Sequence, residues 1–169
     1  ELLKLDQKLD SLGYLKLDET SVRILDISSL KGIGNSESEL SYELTRDWVD
    51  GFSRSAGIED RSVKETLTLM LCNINGETLF ITHLVNGITV GFGYGVVDKG
   101  YVGIYDVFVD KEYRGNSYSK AIMNKILETA RERGAHSAYL QVVVGNTVAE
   151  NLYKKLGFKE VYRYWYRKL

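Results

Sequence analysis

Apolar positions recur along this chain with two periods, about 3.6 and about 2, and the places where one gives way to the other predict its elements. Leu2, Leu5, Leu9 and Leu12 stand at helical spacing; Gly13 follows, and Val22, Ile24 and Ile27 then alternate as in a strand. Residues 39–44 predict a short strand. Thr45 caps a helix that carries Trp48, Val49 and Phe52, with Asp47 in its first turn and Gly57 at its end. Asp60 opens a second helix with an apolar stripe of Val63, Leu67, Met70 and Leu71. Three strands come next, joined at Asn86-Gly87 and Lys99-Gly100, short hairpin signals that make them antiparallel neighbours. A helix to Arg133, a strand over "AHSAYLQVVV", a short helix over 146–156 and a strand over 159–169 complete the pattern.

This order predicts an α/β fold with a mixed, mostly antiparallel sheet and flanking helices. The first thirty residues share a plan with the last part of the chain. Leu12-Gly13-Tyr14 and Leu156-Gly157-Phe158 both end a helix and lead into a strand. Residues 1–30 are therefore expected to be the remnant of a preceding related unit, or an N-terminal extension; the alternative is that Leu-Gly-aromatic is simply a common helix ending. The glycine- and serine-rich 31–36 is the expected linker, and 37–169 the main domain.

Composition narrows the function. With 44% apolar and 27% charged residues, 169 residues suffice for one domain with a proper core. The net charge of −1 supplies no global field toward nucleic acid or membrane, and the late cluster of Lys154, Lys155, Arg163, Arg167 and Lys168 is expected to be a solvated face. One cysteine, Cys72, forms no internal disulfide and is expected in the core; no long apolar run or signal-type start is present, so a cytoplasmic protein is expected. His83 and His136 lack ligand spacing, and no metal is expected.

The stretch "VFVDKEYRGNSYSKAIMNKIL", residues 107–127, carries the most chemistry. A β-branched strand runs through one arginine and a small polar cluster into an amphipathic helix whose packed face holds Ala121, Ile122, Ile126, Leu127 and Ala130. Its first turn, expected over 116–120, leaves backbone N–H groups unpaired at the positive end of the helix dipole. With Arg114 and Lys120 nearby and no side chain at Gly115, this is a site for an anion, phosphate above all. On the residues alone, Arg114 is equally a surface residue and Ser117 or Ser119 a plain cap.

That stretch, followed by "NTVAENLYKKLGF", resembles the GNAT superfamily of acyl-CoA-dependent N-acyltransferases, whose signature is Q/R-x-x-G-x-G/A at a strand-to-helix turn. The resemblance spans about residues 37–169. It implies that Arg114, Gly115, Asn116, Ser117, Tyr118, Ser119 and Lys120 cradle the pyrophosphate of acetyl-CoA, and that Val107, Phe108 and Val109 pair their backbone with the pantetheine arm. Asn146 and Tyr153 belong to the second motif, with Tyr153 toward the departing thiolate. Two departures stand out. Ser117 and Ser119 replace the glycine and the glycine or alanine of the signature, and Gln141 stands where several relatives acting on protein amines carry a glutamate base. If Ser117 needs a backbone angle that only glycine accepts easily, affinity suffers; the expectation is instead an ordinary first-turn residue whose hydroxyl contacts phosphate.

Asp106, one residue before the strand segment, is the replacement base, since aspartate is unfavourable inside an apolar strand; the competing reading is a carboxylate satisfied by a neighbouring loop, and a water relay is the backup. The implied activity is N-acetyl transfer to a primary amine of a small molecule or peptide, by direct attack. The alternative is a noncatalytic acyl-CoA-binding or partner-holding module. Trp48, Phe52, Arg54 and Arg61 border the amine site by resemblance, or else pack and are solvated. Gly91, Gly93 and Gly95 bare one face of a strand, for an acceptor or under a helix. Tyr162, Tyr164 and Tyr166 share a face, read as a buried sheet edge or a contact with a second copy, a homodimer.

Overall fold

The computed structural model describes residues 2–30 and 37–169, and these divide into two compact units, one of residues 26–138 and the other of residues up to 25 together with 139–169. The expected linker, 31–36, lies outside the described residues.

The larger unit contains β2 (Ser38–Ser41), α2 (Arg46–Ala56), α3 (Arg61–Cys72), β3 (Glu77–Val85), β4 (Ile88–Asp98), β5 (Tyr101–Val109), a 3-10 turn (Lys111–Tyr113) and α4 (Tyr118–Glu132). Strands β2, β3, β4 and β5 lie side by side in that order, each antiparallel to the next. Both hairpins form at the expected dipeptides, with positive φ at Asn86, Gly87, Lys99 and Gly100, the backbone that matches the twist of the strands. The helix signals also hold: Thr45 accepts from Trp48 N, Asp60 accepts from Ser62 N and Val63 N, and Gly57 closes α2 at φ +72°.

Two faces of β4 do different work. A Cβ on Gly91, Gly93 or Gly95 would stand 2.9, 2.8 or 2.6 Å from a side-chain carbon of Ile122 or Ile126, so the bare face exists to admit α4. The opposite face packs Phe92 with Phe80, Trp48 and Phe52, and Trp48 donates its indole N–H to Ile81 O at 3.1 Å. Helix α3 joins this cluster through Leu67 and Leu71 alone. Val63 and Met70, expected in its buried stripe, are 50% and 65% exposed. Cys72 is exposed rather than in the core: one residue past Leu71 turns about 100° around the helix, away from the aromatic cluster.

The smaller unit contains α1 (Leu2–Ser11), nearly all of β1 (Leu15–Asp26), most of β6 (Ser137–Val143), α5 (Thr147–Leu156) and β7 (Lys159–Lys168). Strand β1 lies between β6 and β7 and is antiparallel to β7. Helix α1 is tied to β7 by charge: Arg167 reaches Asp6 at 2.8 Å and Asp10 at 2.7 Å, while Trp165 donates to Asp6 at 2.7 Å. The hydrogen bonds from Arg167 and Trp165 hold the Asp6 carboxyl down at a pKa of about 2. Arg167 is thus an anchor rather than part of a solvated face, and Arg163 is paired with Glu160 and Glu19. Tyr162 and Tyr166 are 57% and 58% exposed, so the reading of a buried sheet edge is overturned: β7 is the outermost strand, and these two rings stand open.

Candidate functional site

Strand β5 pairs regularly with β4 as far as Tyr105 opposite Tyr94, and again from Phe108 opposite Phe92. Between these points Asp106 and Val107 face the single residue Gly93, which makes a bulge, and Asp106 takes φ +48°. Aspartate tolerates that left-handed backbone better than its β-branched neighbours would. The bulge sets Asp106, exposed, beside the phenol of Tyr94, whose ring stacks on Tyr105 at 5.2 Å. Crowding of its carboxyl by protein pushes the Asp106 pKa up. Burial, with a smaller contribution from the Asp106 charge, pushes Tyr94 up to about 12, so this phenol stays protonated at neutral pH. A carboxylate of raised basicity next to fixed phenols can accept a proton from an approaching amine.

Beyond the bulge, Asp110 N donates to Val90 O at 2.9 Å. Alternation along the ladder therefore turns the peptide groups of Val107 and Val109 away from β4, while those of Phe108 face it. The Val109 carbonyl, turned outward, accepts from Arg114 Nε at 3.0 Å, and the Arg114 guanidinium lies over the Phe108 ring at 5.3 Å. Arg114 is thereby pinned along the end of β5.

Gly115 follows at φ +85° with nothing within 4 Å of where a Cβ would stand. Asn116 Nδ2 donates to Tyr113 O at 3.1 Å and closes the turn. Helix α4 begins at Tyr118, two residues later than expected, with Ser117 as its N-cap. Ser117 is not an ordinary first-turn residue: it sits at φ +64°, ψ 15°, in the left-handed region, and its hydroxyl makes no cap bond. This is a backbone that glycine, which the resemblance implies at this position, adopts without strain. The first helical bond runs from Ala121 N to Ser117 O at 3.1 Å, leaving the amides of Tyr118, Ser119 and Lys120 without an intrahelical acceptor. Three amides, the dipole end, two cationic side chains and the open space at Gly115 fit a diphosphate.

The remaining expected residues fall in the smaller unit. Asn146 caps α5, its Oδ1 accepting from Ala149 N at 3.3 Å. Tyr153 packs edge-on against Phe158 at 6.0 Å, and burial raises its pKa despite the opposing charge of Arg23. Gln141 accepts from the Tyr164 hydroxyl.

Of the residues expected to border an amine site, Trp48 and Arg54 line a cavity of about 690 Å³ between β2, α2 and the 3-10 turn. Phe52 is in the aromatic core, and Arg61 pairs with Glu65 beside a second cavity between α2 and α3. Around the first cavity Glu39, Asp47, Asp110 and Glu112 outnumber Arg54 and Lys111, so its field favours a cationic guest. The reading of the chain missed Tyr94 and Tyr105. Their only signal was one register: two tyrosines equally placed about the Lys99-Gly100 turn, with an aspartate following the second.

A family model described as Acetyltransferase (GNAT) family matches residues 40–158. The chain belongs to this family. It is 26% identical over 167 residues to the N-acetyltransferase YobR of Bacillus subtilis, covering 96% of this chain and 67% of that protein. A 100-residue stretch, 57% of this chain, is 34% identical to an N-acetyltransferase of Methanocaldococcus jannaschii, of which it covers 42%. Among solved GNAT folds, a GCN5-related N-acetyltransferase from Sphaerobacter thermophilus superposes with a TM-score of 0.75 at 17% identity, over 96% of this chain and 55% of its own. A tandem GNAT protein from the clavulanic acid biosynthesis pathway does so with 0.65 at 15%, over 96% and 56%. The chain thus spans little more than half of each of these two structures. Among the described residues no helix is long and apolar enough to cross a membrane, and no cluster of three or more metal-ligating side chains forms.

Proposed function

We propose that this GNAT domain transfers an acetyl group from acetyl-CoA to a primary amine of a small molecule or peptide, by direct attack. The observation that carries this reading is the turn before α4, with free amides at 118–120, Arg114 fixed by Val109 O and the bare backbone of Gly115. Acetyl-CoA, when bound, supplies an acetyl group activated as a thioester. The outward peptide groups of Val107 and Val109 are suited to pair with the pantetheine arm, and an amide beside Phe108 to polarise the thioester carbonyl.

In the transfer the acceptor nitrogen bonds to the carbonyl carbon, the C–S bond breaks, and the nitrogen gives up a proton. Asp106 is the proposed acceptor of that proton. Tyr153 is proposed, from the family resemblance, to donate a hydrogen bond to the departing thiolate. Its raised pKa suits donation without full transfer, because a thiol near pKa 8.5 is already a stronger acid than a phenol near 10. A weak base favours an amine that is partly unprotonated: one with pKa about 8 is roughly one tenth free base at neutral pH, and lysine, near 10.4, below about one in a thousand.

The division of the chain is likewise proposed: 1–30 as the tail of a preceding related unit or an N-terminal extension, 31–36 as linker and 37–169 as the acetyltransferase. The pairing of β1 with β7, and of Asp6 and Asp10 with Arg167, supports a tail built into the C-terminal sheet. A noncatalytic acyl-CoA-binding module is the second reading, favoured by the strained Ser117 and by Gln141 in place of a glutamate.

Melting with and without acetyl-CoA tests the shared premise, since a ligand that binds only the folded form raises its stability. No shift at millimolar acetyl-CoA refutes both readings. A panel of amines with detection of released thiol separates them. Turnover with Asp106→Asn at least about tenfold below the native protein supports the enzyme and the base together.

A further inference from the structure

His83 is 4% exposed on β3, and no step proposed above uses it. Its Nδ1 is hydrogen-bonded to Ser38 Oγ on β2 at 2.8 Å. Its ring lies against that of Tyr118, with centroids 4.9 Å apart and planes inclined by 40°. Tyr118 is the first residue of α4, immediately after the strained Ser117, and its amide is the first of the three free donors. Burial lowers the His83 pKa, opposed by Glu37, so the ring is an uncharged platform at neutral pH.

An anion grip made of backbone amides depends on how well those amides are held before the anion arrives. At the start of α4 the backbone offers little such restraint. Ser117 makes no cap bond, a Cβ on Gly115 would meet nothing within 4 Å, and the side chain of the exposed Asn116 reaches only the carbonyls of Tyr113 and Arg114, within the turn itself. The Tyr118 ring is the first side chain of the helix with a rigid partner. That partner is held in turn by a hydrogen bond to a neighbouring strand and by its place opposite Gly91 in the β3–β4 ladder.

We infer that His83 is a positioning residue for the phosphate-gripping turn, acting through its ring contact with Tyr118 and held in place by Ser38. The inference rests on the reading of that turn as the pyrophosphate site.

Calorimetric titration with CoA and with pantetheine, which lacks every phosphate, tests it without any acceptor. The native protein binds CoA at least about tenfold more tightly than pantetheine; equal affinities overturn the pyrophosphate reading and this inference with it. Given that preference, His83→Leu weakens CoA about tenfold and leaves pantetheine within about twofold. His83→Phe, which keeps a ring beneath Tyr118, recovers most of the loss. Ser38→Ala, a small change near the sheet edge that tests the anchor should His83→Leu fail to fold, weakens CoA about threefold with pantetheine unchanged. If the native preference stands while the variants melt lower but weaken both ligands alike, or neither, His83 serves packing alone and the inference is overturned.

Discussion

Ser117→Gly isolates the backbone term at the turn. Ser117 stands at φ +64° with an exposed side chain and no cap bond, so the substitution removes no hydrogen bond from the ligand-free protein. An L-residue in the left-handed region costs about 1–2 kcal/mol that glycine does not incur. Against this, glycine gives the unfolded chain more freedom, worth about 0.4–1 kcal/mol. The difference is a net gain of about 0.5–1 kcal/mol, which in a chain of this size raises Tm by about 1–4 °C. Ser117→Ala keeps the Cβ and therefore the strain, so it stays within about 0.5 kcal/mol of the native protein. Gly115→Ala is the converse control: with φ +85° and nothing within 4 Å of the new Cβ, it pays the backbone term without a clash and lowers stability by about 1 kcal/mol. Thermal and urea unfolding without ligand measure all three. A Ser117→Gly protein that melts at or below the native temperature, with Gly115→Ala unchanged, refutes the assignment of strain to this turn. Titration with CoA then separates the hydroxyl from the backbone. Both Ser117 variants bind more weakly if the hydroxyl touches phosphate; if left-handed freedom is what the grip requires, Ser117→Gly binds at least as tightly as the native protein and Ser117→Ala, with the same strain, stays close to it.

Tyr153→Phe lowers kcat about tenfold or more and leaves the KM for acetyl-CoA within about twofold, checked by thiol release at saturating amine. Gly95→Ala places a Cβ 2.6 Å from Ile126 Cγ2 and destabilises by about 1–3 kcal/mol in urea unfolding, the cost of forcing α4 off the sheet. Asp6 has a depressed pKa in the folded protein, so its contribution to stability is fully present above the ordinary value of 3.8 and is lost as pH falls toward about 2. The difference in Tm between the native protein and Asp6→Asn therefore narrows over that window and is flat above pH 5.

What was legible in the sequence is what local chemistry decides. Thr45, Asp60 and Asn146 cap helices, Gly57 and Gly157 end them, and Asn86-Gly87 and Lys99-Gly100 turn hairpins, each through bonds or backbone angles set within a few residues. A turn from β5 into α4 was legible for the same reason, although the helix starts at Tyr118 rather than at Asn116. What depended on distant partners was not. The burial of α3 hangs on which of its turns reaches the Trp48 cluster, and Cys72 and Met70 fall on the wrong side of that contact. Arg167 was read as solvated because its partners, Asp6 and Asp10, lie more than 150 residues earlier in the chain. The conformation of Ser117 lay between: serine is favoured at helix starts, but here the chain's reversal into α4, rather than a cap bond, decides its backbone.

Strain supplies the remaining link between fold and site. Among the described residues five that are not glycine have positive φ: Asp18, Asn86, Lys99, Asp106 and Ser117. Asn86 and Lys99 belong to hairpin turns that demand it, and Asp18 sits where β1 shifts register against β7. The other two bound one continuous segment, residues 107–116, with Asp106 at the bulge that opens it and Ser117 at the cap that closes it. A smooth ladder through residue 106 would return Val107 and Val109 to the opposite orientation toward β4, and a relaxed residue 117 would shift the free amides of α4 out of line with the end of β5. Both strained residues are thus needed for one outcome, outward peptide groups along β5 running straight into the amides of α4. Backbone strain of about 1–3 kcal/mol per residue persists where the surrounding structure over-determines it, which is what the β4 pairing on either side of Gly93 and the packing of α4 against β4 provide. Asp106→Gly and Asp106→Asn both remove the carboxylate and keep a residue that accepts the left-handed backbone of the bulge, and only Asp106→Gly also relieves its strain. CoA affinity close to native in Asp106→Gly with turnover lost separates the base from the bulge, whereas CoA affinity lost in both variants refutes the view that the backbone, and not the carboxylate, shapes the cofactor track.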